Sequence, residues 1–329
     1  MKTPIRIGVL QLADSAPVIM AHQQGLFARH GLETEIVVSP SWANIADGLT
    51  WKKLDAAVIF CPLAMMTALG RRGHDAFLRP LTTISRGGNT IMLRGVNPVE
   101  TIWHAGSQGR HAFDVWRSSI GRRPRIAVVH IYSTHLLILR RFLKMIDMDM
   151  ENDIELVVMP PVDMIQALSE KKIDGGCVGP PWGTEAERLG VAFRVGGSSS
   201  VFPDHVEKIM VTSGKLSHSE EQTEAMTLAL QEAITFCQTP QYRQDVIEAL
   251  VAPLSEGGLA LPTEATRAVL PEGSAKEAIN FVSGALQEHD IEWIINDMAS
   301  LGWLESSEQQ TLMRWSVSGV MASAPPVPL

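Results

Sequence analysis

Two short apolar stretches decide the fold: Arg6-Ile7-Gly8-Val9-Leu10 and Arg125-Ile126-Ala127-Val128-Val129. Each is followed by a second apolar stretch, Glu35-Ile36-Val37-Val38-Ser39-Pro40 or Glu155-Leu156-Val157-Val158-Met159-Pro160. A third pair begins Lys52-Lys53-Leu54-Asp55 and Lys171-Lys172-Ile173-Asp174, so that 49 residues separate the arginine from the aspartate in both copies. The spacing predicts two halves of the chain that fold alike.

Each copy has the pattern of strand, helix, strand, helix, strand. The strands are β-branched stretches bounded by Gly or Pro, and apolar residues at helical spacing follow the first strand of each copy: Val18, Ile19, Leu26 and Phe27, then Leu136, Leu139, Phe142 and Leu143. Alternating strands and helices predict parallel βαβαβ units with right-handed crossovers. We expect two lobes with a cleft at the carboxyl ends of their strands.

The connections between the lobes fix the domain boundaries. The first crossing is expected within 81–95, around Arg86-Gly87-Gly88-Asn89, and the return within 201–213. We therefore assign 1–88 and 212–329 to a discontinuous lobe one and 89–211 to lobe two. The amphipathic, helical part after about residue 216 is expected to pack on lobe one.

Composition excludes several classes of function. The chain has 329 residues, 45% of them hydrophobic, which suits a globular protein with a real core. The 28 basic and 36 acidic residues give a net charge of −8, which argues against direct nucleic-acid binding. No apolar stretch approaches the length of a membrane span. Cys61, Cys177 and Cys237 lack metal-type spacing, so neither a metal nor a cofactor is expected.

The beginning of the sequence bears on the compartment. Met1-Lys2-Thr3-Pro4 leads directly into the first predicted strand, without the apolar segment of a signal peptide. We expect a cytoplasmic protein, or a periplasmic one if a signal peptide has been removed.

Two loop–helix junctions are candidates for anion binding. Asp14-Ser15-Ala16-Pro17 and Ser133-Thr134-His135 occupy matching positions in the two copies. Helix N-termini offer free N–H groups and a positive dipole end, so Ser15 and Thr134 are candidate ligand contacts. Ordinary helix capping, which every helix start shows, is the alternative, and each junction taken alone favours it.

Several side chains near the predicted cleft can donate to an anion. His135 can donate from its imidazole and Lys208 supplies a formal positive charge. Trp42, after the second strand, can cover a planar anion, and Asn89 offers an amide. Gly179, in the turn Gly179-Pro180-Pro181-Trp182, exposes its backbone N–H. A surface histidine, a solvated lysine and a core tryptophan remain alternatives.

Catalytic motifs are weak. The sequence contains no G-x-S-x-G, H-E-x-x-H, P-loop or G-x-G-x-x-G motif. Cys61 follows the third strand and, with His135, makes a nucleophile pair conceivable. We interpret Cys61 as a wall residue and the protein as a binding protein, with an enzyme on the same fold as an alternative.

At these residues the sequence resembles the nitrate, bicarbonate and sulfonate group of substrate-binding proteins, including cytoplasmic nitrate/nitrite sensors. The resemblance covers nearly the whole chain and is carried by several passages: Leu12-Ala13-Asp14-Ser15-Ala16-Pro17, Pro40-Ser41-Trp42-Ala43-Asn44-Ile45, Leu54-Asp55-Ala56-Ala57, Val158-Met159-Pro160-Pro161, Cys177-Val178-Gly179-Pro180-Pro181-Trp182 and Glu207-Lys208. It implies a type II periplasmic-binding-protein fold in which the anion is surrounded by Trp42, Asn89, His135, Gly179 and Lys208.

Two positions depart from the family pattern. Asn89 stands where nitrate-type members carry glutamine, and Pro181 where many members carry an acidic residue. The second departure weakens an interpretation as a bicarbonate protein with calcium, because hard cations require carboxylate oxygens.

The resemblance also implies a role. Nitrate or nitrite is the leading ligand, and a cytoplasmic sensor that controls nitrate assimilation through an antiterminator protein is the leading function. The alternative is the substrate-binding component of an ABC transporter, with a permease as its partner.

Overall fold

The computed structural model describes residues 3–74 and 76–318. Two β-sheets form the centre of the molecule, and helices cover them. The strands in chain order are β1 Ile5–Val9, β2 Thr34–Val38, β3 Ala56–Ile59, β4 Leu78–Arg86, β5 Thr90–Arg94, β6 Arg125–Val128, β7 Glu155–Val158, β8 Gly175–Val178, β9 Ala192–Gly197, β10 Val206–Ser213 and β11 Asn280–Phe281.

The helices alternate with the strands in both halves and then follow one another in the last third of the chain. They are α1 Ala16–Gln23, α2 Leu26–Arg29, α3 Trp42–Thr50, α4 Cys61–Ala68, α5 Gly106–Ser118, α6 Thr134–Met145, α7 Met150–Asp153, α8 Met164–Ser169, α9 Trp182–Arg188, α10 Ser198–Val201, α11 Glu220–Gln238, α12 Arg243–Val251, α13 Thr263–Val269, α14 Glu288–Ser300 and α15 Ser306–Ser318. No helix among the described residues is long and apolar enough to cross a membrane.

Each lobe contains one sheet. The first has the strand order β11-β4-β10-β3-β1-β2 and the second the order β7-β6-β8-β5-β9. In both sheets the three strands of the repeat are parallel, with the first strand between the other two. The strands that enter from the other half of the chain, β10 and β5, run antiparallel to β3 and β8. The predicted α/β fold with two βαβ lobes is confirmed.

The repeat found in the sequence has a direct structural counterpart. The backbone N–H of Arg6 donates to Oδ2 of Asp55 at 3.0 Å, and that of Arg125 donates to Oδ2 of Asp174 at 2.9 Å. In each lobe, therefore, an aspartate that precedes the third strand fixes the start of the first. The equal spacing of 49 residues reflects this shared hydrogen bond.

The two crossings between the sheets bear on the proposed domain boundaries. Gly87 and Gly88 have φ of 64° and 85°, a region that favours glycine, and they connect β4 of the first sheet to β5 of the second. The return is complete before β10 begins, because β10 pairs with β3 and β4 of the first sheet. A boundary between residues 211 and 212 therefore cuts this strand, and we propose residue 205 as the end of lobe two.

The C-terminal helices pack on lobe one, as predicted. Helix α11 lies against α1 and α2, and α14 lies against α4. Helix α14 also reaches the second lobe, where Arg141 of α6 forms an ion pair with Asp297 at 2.6 Å. The last third of the chain thus contacts both lobes.

Candidate functional site

The predicted site residues converge between the lobes. Trp42 is the first residue of α3, Asn89 lies at the first crossing, His135 is in the first turn of α6, and Lys208 is in β10. At most 1% of each of these four residues is exposed. Gly179, which follows β8, is buried as well. Groups from both lobes therefore face one enclosed region.

Lys208 carries the positive charge of this region. Its Nζ donates to Oε1 of Glu207 at 2.6 Å and lies 3.0 Å from Oδ2 of Asp14. The ammonium also lies 5.3 Å from the ring centre of Trp42 and 5.8 Å from that of Phe60. An ammonium has three donors, so two carboxylates leave one for a further partner. Burial lowers the pKa of Lys208, but the two carboxylates outweigh that effect and raise it.

A β-bulge places Glu207 beside Lys208. Against β4, Val206 pairs with Arg86 and Lys208 with the next residue, Ser85, so Glu207 is the extra residue of β10. A bulge breaks the alternation of side chains along a strand. Both side chains are consequently buried in the same region, where regular pairing directs neighbours to opposite faces.

Glu207 is the centre of a hydrogen-bonded cluster. Besides Lys208, it accepts from Nδ2 of Asn89 at 2.7 Å, and its oxygens lie 3.8 Å from Nε2 of His135 and 3.7 Å from Nδ1 of His205. Burial raises the pKa of Glu207, but Lys208 and the two histidines together outweigh this and lower the pKa to about 2. The carboxylate is therefore ionised at neutral pH.

His135 is uncharged in this environment. Complete burial lowers its pKa to about 3, which the attraction of Glu207 does not offset. Its two ring nitrogens have no hydrogen-bond partner among the described residues. A neutral imidazole has one donor and one acceptor, so His135 can offer one N–H to a guest.

The geometry fixes the orientation of the Asn89 amide. An ionised carboxylate only accepts, so the amide nitrogen must face Oε2 of Glu207. Oδ1 of Asn89 consequently points toward Gly179, where it lies 3.9 Å from the position that a Cβ would occupy. Nε2 of His135 lies 3.4 Å from the same position, which places both groups next to the bare backbone of Gly179.

Several buried polar atoms around this region lack a hydrogen-bond partner among the described residues. They include Nε1 of Trp42, Oδ1 of Asn89, both ring nitrogens of His135 and both carboxylate oxygens of Asp14, and Oγ1 of Thr134, the residue before His135, is unpaired as well. Buried polar groups are normally paired, because leaving one unpaired costs about 1–3 kcal/mol. A concentration of such atoms between two lobes is typical of a site built for a polar guest.

The side chain of Ser15 is hydrogen-bonded within its own loop, and its contact with a ligand stays a prediction. Its hydroxyl donates to the carbonyl oxygen of Leu10 at 3.0 Å, and it does not cap α1. It therefore offers no free side-chain donor to the site. The matching serine of lobe two, Ser133, does cap its helix and accepts from the N–H of Leu136.

Two hydrogen bonds join the lobes next to the site. The N–H of Ala13 donates to the carbonyl oxygen of Pro180 at 2.9 Å, and the indole Nε1 of Trp182 donates to that of Gln11 at 2.8 Å. Both bonds join the segment after β1 to the turn that leads from β8 into α9. The structure is thus a closed form of the two-lobed molecule.

The sequence patterns did not identify Asp14 and Glu207 as site residues. Both are charged and almost completely buried, which is rare unless the charge is paired. Regular strand pairing predicts that Glu207 and Lys208 point to opposite faces, so Glu207 was not expected in the site. Asp14 has the position of a helix-capping residue and was interpreted as one. The signal that remained was the charged pair Glu207-Lys208 within a strand whose other residues are uncharged.

The structure gives little support to a catalytic thiol or to a metal site in this region. Burial raises the pKa of the Cys61 thiol far above its usual range, so Cys61 is not an activated nucleophile. Across 3–74 and 76–318, no group of three or more His, Cys, Asp or Glu side chains is arranged to hold a metal ion.

A family model described as the NMT1-like family matches residues 1–251 of the chain. The chain belongs to the NMT1-like family. This member is 30% identical over 253 residues to the bicarbonate transport ATP-binding protein CmpC of Synechococcus elongatus, covering 76% of the chain and 37% of that protein. It is 28% identical over 245 residues to the nitrate/nitrite binding protein NrtA of the same organism, covering 72% and 55%. The chain thus matches between about two fifths and just over half the length of these relatives.

Solved structures share the fold of this NMT1-like protein. The periplasmic nitrate-binding protein NrtA from Synechocystis superposes with a TM-score of 0.82 at 19% identity, over 94% of this chain and 85% of that one. The periplasmic aliphatic sulphonate binding protein SsuA from Escherichia coli gives a TM-score of 0.69 at 12% identity, over 100% and 97%. The fold is therefore the periplasmic-binding-protein fold, and both of these neighbours are named as binding proteins.

Proposed function

We propose that the protein binds a small oxyanion, nitrate or nitrite, between its two lobes. The observation that carries this proposal is the buried ammonium of Lys208, which retains one donor in the same region as the unpaired polar atoms of Trp42 and His135. Donors from both lobes meet an anion together only when the lobes are closed, so binding and closure are linked.

The charges of the region favour a monoanion. Lys208 supplies one positive charge, and Asp14 and Glu207 bring two carboxylates close to it. No excess positive charge is left for the guest, so every negative charge that it brings is costly in this buried site, and a dianion costs more than a monoanion. We therefore expect sulfate to bind poorly.

Hydrogencarbonate is the second candidate. Oδ1 of Asn89 is an acceptor without a partner, and it faces Gly179. Nitrate has only acceptors, whereas hydrogencarbonate has an O–H that can donate to this oxygen. The matched relatives include proteins named for bicarbonate transport as well as for nitrate.

The proposed cellular role is that of a cytoplasmic nitrate/nitrite sensor acting through an antiterminator protein, and the alternative is the substrate-binding part of an import system. The named relatives, which include import ATP-binding proteins, support the alternative. Affinity purification of the full chain with and without nitrate separates the two. Nitrate-sensitive recovery of an RNA-binding antiterminator supports the sensor, and recovery of a permease or an ATPase supports import.

Calorimetric titration with nitrate, nitrite, hydrogencarbonate and sulfate tests the ligand. The proposal predicts saturable binding of nitrate or nitrite at about one per chain and weaker binding of sulfate. Absence of binding for both nitrogen anions contradicts it, and binding of hydrogencarbonate alone establishes the second candidate.

A further inference from the structure

Asp14 occupies an unusual position beside the proposed anion site. It lies in the short turn Ala13–Ser15 before α1 and is 1% exposed. Oδ2 lies 3.0 Å from Nζ of Lys208, but no group of the described residues forms a hydrogen bond of good geometry with either carboxylate oxygen. The negative charge of Asp14 therefore depends on Lys208.

The other titratable groups that face this cluster add no positive charge. Glu207 shares the ammonium of Lys208, and His135 and His205 are buried and neutral. The thiols of Cys61 and Cys177 are also buried and protonated. With both carboxylates ionised, the cluster carries one net negative charge before any anion enters it.

We propose that binding of an anion between the lobes is coupled to the uptake of one proton from solvent by the carboxylate of Asp14. The proposal rests on the proposed function, because it concerns the same site. Protonation converts the carboxylate and one proton into a carboxylic acid, so the net charge of the cluster is the same with the anion as without it. No other reactant is needed.

Asp14 is better placed than Glu207 to take this proton. Glu207 accepts short hydrogen bonds from both Lys208 and Asn89, and these bonds stabilise its ionised form. Asp14 has only the ion pair with Lys208, which the incoming anion must share. Once Lys208 is shared, the burial that already raises the pKa of Asp14 acts with less opposition.

Protonation also matches the hydrogen-bonding needs of the guest. Nitrate has acceptors only, and an ionised Asp14 has acceptors only, so the two repel each other around one ammonium. A protonated Asp14 carries an O–H donor. The same proton therefore removes the repulsion and leaves a donor in the site.

Calorimetry of the full chain with nitrate, in buffers of different ionisation enthalpy at one pH, counts the protons taken up. We expect up to one proton per nitrate wherever Asp14 is ionised in the free protein and protonated in the complex, and a dissociation constant that rises about tenfold per pH unit where the uptake is complete. In Asp14→Asn the proton count should fall to about zero and the affinity should no longer depend on pH. The exposed control Asp245→Asn should retain the proton count of the unmodified protein.

The possible failures are distinguishable. Nitrate binding with a heat independent of the buffer at every pH overturns the proton uptake and leaves the proposed function intact. Uptake that persists in Asp14→Asn overturns the assignment to Asp14. Absence of nitrate binding in every buffer overturns the proposed function and this proposal with it. The proton count of the unmodified protein shows whether nitrate binding is coupled to proton uptake, even if Asp14→Asn does not fold.

Discussion

Nζ of Lys208 lies 2.6 Å from Oε1 of Glu207, the residue that precedes it in β10. Neighbouring side chains of a strand ordinarily point to opposite faces, and the β-bulge at Glu207 is what brings these two together. A buried acid and a buried base thus come from one strand that belongs to lobe one, and they face groups supplied by lobe two. The charge of the site depends on this local irregularity.

Replacement of Lys208 tests the energetic role of the cluster. Lys208→Met leaves Glu207 and Asp14 buried without a counter-charge, and we expect a loss of about 3–5 kcal/mol in the free energy of unfolding, measured with urea at neutral pH. The double variant Glu207→Gln/Lys208→Met should recover part of that loss. The control Lys215→Met changes an exposed lysine and should shift stability by no more than about 0.5 kcal/mol. Equal losses in the free energy of unfolding for Lys208→Met and Lys215→Met contradict the energetic role of the cluster.

Closure can be weakened without touching the anion. Trp182→Phe removes the indole donor to the carbonyl oxygen of Gln11, an interlobe hydrogen bond of 2.8 Å. Such a bond contributes about 1 kcal/mol, so nitrate affinity should fall about fivefold, mostly through faster dissociation. Stopped-flow dissociation measures this, with Trp51→Phe, an exposed tryptophan, as control. Unchanged dissociation in Trp182→Phe argues against closure as part of binding.

The space beside His135 can be filled by a single methyl group. In Gly179→Ala the added Cβ lies 3.4 Å from Nε2 of His135 and 3.5 Å from Cδ2 of Leu12, so the protein tolerates it. The methyl group occupies the region where the guest should approach the backbone. We expect a loss of nitrate affinity of more than about tenfold, equivalent to about 1.4 kcal/mol, with nearly unchanged thermal stability. Full affinity in this variant places the guest elsewhere.

Acid should destabilise the protein in two stages. The folded pKa of His135 is about 3, below the unfolded value of about 6.5, so its contribution is complete above pH 6.5 and is lost as the pH falls toward 3. The folded pKa of Glu207 is about 2, below the unfolded value of about 4.3, so its contribution is lost as the pH falls from about 4.3 toward 2.

Urea unfolding between about pH 7 and pH 4 checks the first stage. His135 should account for a slope of about 1.4 kcal/mol per pH unit below its unfolded pKa. His135→Gln should flatten the slope by that amount, whereas His289→Gln, which alters a histidine with a 76% exposed side chain, should not. A slope unaffected by His135→Gln shows that this imidazole takes up its proton at about the same pH in the folded protein as in the unfolded chain.

The sequence predicted the fold well because the strands and helices of the two copies have regular patterns of apolar residues. The paired stretches beginning at Arg6 and Arg125 predicted two similar lobes, and the structure confirms both. The pattern did not reveal which sheet β10 joins. Every residue of Val206–Ser213 is buried. A strand that is buried on both faces lacks the alternation of apolar and polar residues, so its sequence does not indicate which strands lie beside it.

The sequence predicted the site in part. His135, Asn89, Trp42, Gly179 and Lys208 lie together as the strand ends and crossings indicated, although their contact with a ligand stays a prediction. The roles of Asp14 and Glu207 depend on a bulge and on a turn without a side-chain cap. Such departures from regular geometry are set by tertiary packing, which a local pattern does not record.

The most direct test is the affinity for nitrate of the unmodified protein and of Glu207→Gln/Lys208→Met, measured side by side by calorimetry. The double variant lacks the ammonium but leaves one fewer uncompensated carboxylate than Lys208→Met alone, so a folded protein can be examined. We expect saturable binding in the unmodified protein and none in the double variant. Nitrate binding of equal strength in both proteins contradicts the account.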